Sequence, residues 1–393
     1  MAAVDMTAYA AALKRMYPQK KIENATFRKN VLYAMLPKDT NVGGESWTRA
    51  VHYEDIASGS ATFSVAQANK SASKKVAFRM TAVEDYSLAS IKGKVWRASQ
   101  GNTKALLQVT KSEVDSAFNV QKRRCGIHSY RDGTGYVGRL ASSSGISTTS
   151  LKLATRSDIN NFGKGQKIVA CSSTTGSVRA DVATIASVNR RADATTHITT
   201  SEDMSAKADA WANSDYLFFE GDAQNGASND HKVVDGLAAW LPTTAPTSGE
   251  SHFGVDRSVD VVRLAGNDID ATGMTIEEAI IEAATECTEQ GGEPDMVVLP
   301  FLLWKQLGLE LGSKKEYDDV KQAGINFRSY VLTKRTWSFD SIGPHPGILD
   351  LDDVGRFLRE STDDAYELRV GGYPQLSCRL PGANAVIENL PTS

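Results

Sequence analysis

The chain has 393 residues, 41% hydrophobic and 23% charged, with a formal net charge of -3. That indicates a soluble globular protein with enough chain for two or three packed units, and the charge gives no global electrostatic argument for binding nucleic acid. The four cysteines, Cys125, Cys171, Cys287 and Cys378, lie singly without a CxxC, which excludes a disulfide framework or a cysteine zinc cluster and reads as reduced core residues.

Thr7 can cap a short helix, TAYAAALKRMY, which Pro18 stops. Lys14, Arg15, Lys20, Lys21, Arg28, Lys29 and Lys38 outnumber Asp5, Glu23 and Asp39, so the one clear basic segment is amino-terminal. It reads either as a solvated helix face or as a surface beside nucleic acid. Residues 19–45 look extended and too sparse in apolar residues for a core of their own, so residues 1–45 form an arm laid across another surface.

Trp47, Arg49, Val51 and Tyr53 alternate with Thr48, Ala50 and His52, and Val76, Phe78 and Met80 alternate with Lys75, Ala77 and Arg79. This period of two predicts paired strands within an extended loop, residues 46–82. The tip between them has roughly 20 residues, far more than the 2 to 5 of an ordinary hairpin turn, and so reads as functional or disordered. Beyond it Asn102 or Thr103 caps a long helix whose Leu107, Val114, Phe118 and Cys125 share a stripe, with Gly126 placed to close it. A stiff spine of ~22 to 25 residues is expected.

The Gly, Ser and Thr-rich stretch 129–150 marks a crossing between units. From 145 to 222 short β-branched runs (QKIVAC, VRADVATIASV, THITT) alternate with turns, predicting an inserted small β-barrel or sandwich. Gly163-Lys164-Gly165 lacks the spacing of a phosphate loop and reads as a β-turn.

After the loop-rich passage 222–256, in which Trp240 is expected to be buried, comes an α/β unit. Thr275 and Glu278 make a capping box for TIEEAIIEAATECTEQ, Gly291 and Gly292 close that helix, and its stripe is Ile276, Ile280, Ala283 or Ala284 and Cys287. PDMVVLP follows as a buried central strand, with Pro300 opening the helix FLLWKQLG. INFRSYVL is a strand, TWSFDSIGPHPG a loop, and the remaining segments supply strands that can return to the sheet started early in the chain. The class is α+β.

No constellation carries chemistry. The six histidines, His52, His128, His197, His231, His252 and His345, are far apart without HExxH. Asp350, Asp352 and Asp353 lack the Gly and Glu of a calcium loop and read as a solvated turn. Cys125 follows Lys122, Arg123 and Arg124, which could activate an exposed thiol, but it falls on the apolar stripe. The tryptophans (47, 96, 211, 240, 304 and 337) are dispersed as core or interface anchors. No catalytic, cofactor-binding or metal residue is assigned, and the chain is read as a non-enzyme. Extended elements that cannot bury themselves point to a protein whose product is its own assembly.

That order of parts resembles the major capsid protein of tailed bacteriophages, with the Hong Kong 97-type fold. The resemblance matches an arm (1–45), an extended loop (46–82), a peripheral domain with spine helix (83–144), an axial domain (223–345) and a return to the peripheral domain (346–393), leaving the β-insert (145–222) outside. PDMVVLPFLLWKQL is the most family-like string. The resemblance implies a virion shell of hexamers and pentamers around double-stranded DNA held by non-specific contact, assembled in the host cytoplasm, with portal and decoration proteins as partners. The short arm leaves no room for a cleaved scaffolding extension, so a separate scaffolding protein is expected. Lys70, Lys74 and Lys75 lie at the tip, but no pattern identifies an acceptor for the covalent link of some members. An encapsulin-like nanocompartment and an α/β enzyme with an appended β-module are the alternatives. No signal peptide is seen, no apolar run approaches the ~18 residues of a membrane span, and no cofactor is implied.

Overall fold

The computed structural model describes residues 31–94, 97, 103–191, 195–207, 209–224, 231–311, 327–343, 347–348, 358–359 and 363–391, and for 103–112, 348, 358 and 359 the backbone alone. The helix expected at 7–17, most of the basic segment, Trp96, His345 and the Asp350–Asp353 turn lie outside the described residues.

The first described element is a short helix, Val31–Met35, whose Leu32, with Leu36 just beyond, is buried in the main core. Lys38–Asp39 then pairs in parallel with Trp337–Ser341. This part of the arm therefore lies across its own chain.

The same strand, Trp337–Ser341, also pairs with Pro374–Cys378 and is buried at all five residues. The expectation of a loop at TWSFDS is thus corrected. A strand covered on both faces loses the polar-apolar alternation that reveals a half-exposed one, and here the polar members are satisfied internally. Ser338 donates to the Asp340 carboxylate at 2.8 Å and meets the Ser377 hydroxyl at 2.8 Å.

The long helix runs Thr103–His128, 26 residues and ~39 Å. Gly126 lies within it rather than closing it, because Ile127 and His128 continue into the core. Ala117, Gln121 and Cys125 form its buried stripe at a spacing of four. Val114 and Phe118 pack on Ala89, Leu368 and Val370 of a sheet in which Asp85–Lys92 pairs along its full length with Ala365–Gly372. The closing strands thus return to the early sheet.

Seven strands form one sheet in the order Tyr136–Arg139, Tyr216–Phe219, Lys167–Cys171, Ala183–Val188, Ile198–Thr200, Ser150–Leu151, Ile146–Ser147. A bridge between Leu140 and Leu153, flanked by Ala141 N–H to Lys152 O at 2.9 Å and Ala154 N–H to Arg139 O at 2.8 Å, joins its two sides. That closure makes a barrel, filled by Val137, Leu151, Ile168, Ile185, Ile198 and Leu217. The sheet begins at Tyr136, ahead of the expected 145, inside the Gly and Ser-rich stretch read as a crossing. Gly165, at φ +82°, holds the turn expected there.

The last layer orders Asn267–Asp270, Ala385–Glu388, Ser329–Leu332 and Met296–Val298. Helix Ile276–Glu289 covers it with the expected capping box and buries Ile276, Ala279, Ala283 and Cys287. Met296–Val298 is an edge strand with Val297 exposed, not the buried central strand expected. An apolar run alone does not distinguish a central strand from one at a sheet edge.

Leu32→Ala is expected to cost about 2–4 kcal/mol, since it empties a site in the main core. A lowered urea midpoint checks this; an unchanged midpoint would mean that the short helix does not hold to its own chain.

Candidate assembly interface

The hairpin pairs Ser46–Glu54 with Lys74–Thr81, placing Trp47 opposite Met80, Arg49 opposite Phe78 and Val51 opposite Val76. One face carries Trp47, Val51, Phe78 and Met80 into the core, as the period of two requires. Arg49 stands on that same face and needs an anion.

Asp340, fully buried, supplies it. Its carboxylate accepts from Trp47 Nε1 at 3.0 Å and Arg49 Nε at 3.2 Å, and lies 2.9 Å from Arg49 Nη2. Arg49 Nη2 also reaches Asp39 at 2.7 Å. Burial alone would lower the Arg49 pKa, but the two carboxylates raise it; the Arg49 hydrogen bond in turn holds Asp39 below its usual range. Arm, hairpin and buried strand thus meet at one guanidinium. Sequence reasoning did not single out Asp340, although an arginine in the inward register of an apolar strand was the available signal.

Farther out, a bulge at Tyr53 shifts the register between His52 and Glu54. Arg263 donates to the Tyr53 carbonyl at 2.6 Å and to the Glu54 carboxylate at 3.0 Å. An open groove of about 260 Å³ lies here, lined in part by Arg263, Glu289, Gln290 and Leu380.

The tip folds into a short helix, Phe63–Ala68, that buries none of its residues. Phe63 is 80% and Ile56 60% exposed. Lys70, Lys74 and Lys75 are exposed as well. A second apolar surface lies on helix Phe301–Glu310, where Leu302 is 54% and Leu309 70% exposed, beside Phe301, Trp304 and the edge residue Val297. Several large apolar side chains exposed on one helix are a candidate interaction surface.

The remaining described candidates make local contacts within the fold. All four cysteines are free and buried. Burial pushes the Cys125 and Cys378 thiols up to about 12 and those of Cys171 and Cys287 to about 11. Arg124 does not activate Cys125, because it spans Asp85 and Asp222 at 2.9 Å each. Among the described residues no group of three metal-ligating side chains occurs. His197 Nδ1 accepts from Leu153 N–H, His231 pairs with Asp235, His128 lies 3.5 Å from Asp222, and His52 lies 3.5 Å from Asp55. His252 packs among Phe78, Trp240 and Phe253 beneath the hairpin.

Compared with solved structures, the chain aligns over 98% of its length with 99% of a chain from the capsid asymmetric unit of cyanophage A-1(L), at TM-score 0.55 and 12% identity. The fold is that of a phage capsid subunit. The Hong Kong 97-type α+β fold expected from the order of parts is therefore the fold found. A chain from Mycobacterium phage Adephagia (TM-score 0.43, 11% identity, 99% of this chain and 100% of that one) is also similar. So is one from the capsid of an empty GTA particle (0.44, 9%, 99% and 100%). The fold assignment rests on the first. No protein-family model matches the sequence, and no curated protein does. Within the capsid fold, no helix among the described residues is long and apolar enough to cross a membrane.

Asp340→Ala leaves Arg49 and the Trp47 indole N–H without their buried acceptor, and a loss of about 3–5 kcal/mol is expected. It should appear as a lowered urea midpoint with faster amide exchange in residues 46–54, and wild-type values would contradict the anchoring role.

Burial, then the charges of Arg257 and His231, holds the His252 pKa well below 6.5, whereas in the unfolded chain it lies near 6.5. The contribution is complete above about pH 6.5 and lost as pH falls below it, because the unfolded chain then binds the extra proton. His252→Phe should flatten that acid decline in stability, read as urea midpoints compared across the window.

Proposed function

We propose that this chain is the major capsid protein of a tailed double-stranded DNA phage, a structural subunit and not an enzyme. It assembles into the hexamers and pentamers of an icosahedral shell in the host cytoplasm and resides in the virion. The observation that carries this reading is the hairpin: a capsid-fold subunit anchors its root with a buried ion pair and presents Phe63, 80% exposed, on a tip without a core of its own. In a shell the tip covers a neighbouring copy, and the apolar surface of helix Phe301–Glu310 meets a second.

The reading divides the chain into arm 1–45, extended loop 46–82, peripheral domain 83–144 and 346–393, inserted β-domain 145–222 and axial domain 223–345. A separate scaffolding protein, a portal and a decoration protein complete the particle around packaged DNA.

Expressed alone and with a scaffolding partner, the protein should give uniform closed particles in electron micrographs. Phe63→Asp should leave the thermal transition of the subunit within a degree or two, as for an exposed site, while cutting particle yield at least about tenfold. Wild-type yield from that variant would remove the tip from the interface. A wild-type protein that stays monomeric or dimeric at high concentration would overturn the function.

A further inference from the structure

Two connections tie the barrel to the rest of the subunit: the chain enters it through residues 129–135 and reaches the core again at residues 231–237. The two lie against each other. Asp235 is fully buried, and its carboxylate lies 2.6 Å from His231 Nδ1. Gly133, at φ +80°, makes room for that contact, because a Cβ there would run into the Asp235 carboxylate and the imidazole alike. Gln375 of the buried strand Pro374–Cys378 closes the other side. Its Nε2 donates to Asp235 Oδ2 at 3.2 Å, and its Oε1 accepts from the Asp235 N–H at 3.0 Å. Leu237 N–H donates to the Ser129 carbonyl at 2.8 Å, joining the two connections directly.

The pair carries a proton whose loss the surroundings do not absorb. Burial alone would lower the His231 pKa, but contact with Asp235 raises it above 6.5; burial raises the Asp235 carboxyl as well. When the proton leaves through the imidazole, whose side chain is 29% exposed, a buried carboxylate is left opposite a neutral ring. Asp132, held by the Thr134 N–H at 3.1 Å and hydroxyl at 2.6 Å, adds a like charge from the entering connection. Arg257 acts on Asp235 by charge, its guanidinium donating to the carbonyls of Ala239 and Trp240 at 2.9 and 3.2 Å. His252 faces His231, but burial holds its pKa well below 6.5, so it is neutral where the pair titrates. His128 lies 3.5 Å from Asp222. The other ties at this neck, Arg124 to Asp222 and Arg131 to Asp158, use guanidinium groups that stay protonated throughout.

We propose that His231 and Asp235 form a proton-held clasp at the neck of the barrel, which opens when the pair loses its proton and frees the two connections while barrel and core each stay folded. With the His231 pKa raised on folding, the clasp contributes fully below about pH 6.5 and is lost as pH rises through the folded value. This is the reverse of the acid loss at His252.

The test is hydrogen exchange on the full-length subunit at about pH 6 and about pH 9, with rates corrected for the intrinsic pH dependence of amide exchange. Protection of the Leu237 amide should fall at least about tenfold between the two, while strands Lys167–Cys171 and Asp85–Lys92 keep theirs. Asp235→Asn, which removes the buried charge, should abolish that fall. His231→Gln, at a half-buried position more tolerant of change, should give protection that is already reduced at the lower pH and falls no further. Full protection of wild-type Leu237 at the higher pH would overturn the clasp, as would a wild-type fall that persists in whichever of the two variants folds. Equal loss of protection in the barrel strands would overturn the neck as the place of opening, in favour of general alkaline unfolding.

Discussion

The hairpin can project from the subunit because its root is fixed by the Arg49–Asp340 pair. A two-stranded ribbon is marginal in water by itself. Here its inner face is buried by Trp47, Val51, Phe78 and Met80, and the one charge on that face is met by a carboxylate with no exposure. A buried pair of this sort adds less net stability than its removal would cost, because losing one partner leaves the other charge unpaired. Its consequence is positional. Asp340 accepts from Trp47 and Arg49 together, and Arg49 also holds Asp39, so two neighbouring amino-terminal strands and one some 290 residues away are fixed together.

A similar device joins the long helix to its surroundings, where Arg124 spans Asp85 at the start of strand Asp85–Lys92 and Asp222 at the exit of the barrel. Polar interactions thus set the geometry of the framework while apolar surface is left over at its extremities. Phe63 and Ile56 at the tip, and Leu302 and Leu309 on helix Phe301–Glu310, are exposed in a chain that buries Trp240, Trp337 and Phe78 almost completely. A subunit that can bury large side chains, yet leaves these in water, is shaped for contact with other molecules.

Much of this was legible in the sequence wherever one face of an element meets water and the other does not. The hairpin legs, the helix Thr103–His128 and the capping box at Thr275 all carry such a periodic or capping signal, and the order of parts carried the fold. Trp337–Ser341 was hidden because it is covered on both sides by polar as well as apolar groups. Met296–Val298 misled for the opposite reason, since it lies at a sheet edge where Met296 is buried but Val297 is exposed. Gly126 reads as a helix end in sequence, but packing of Ile127 and His128 carries the helix past it.

The central claim is that the tip of the hairpin finds its cover on another copy. Hydrogen exchange of the amides in Phe63–Ala68, compared between dissociated subunits and assembled particles, tests it most directly. The account predicts rapid exchange in the free subunit and marked slowing in the particle, with the hairpin legs protected in both. Equal, rapid exchange of the tip in both states would contradict it.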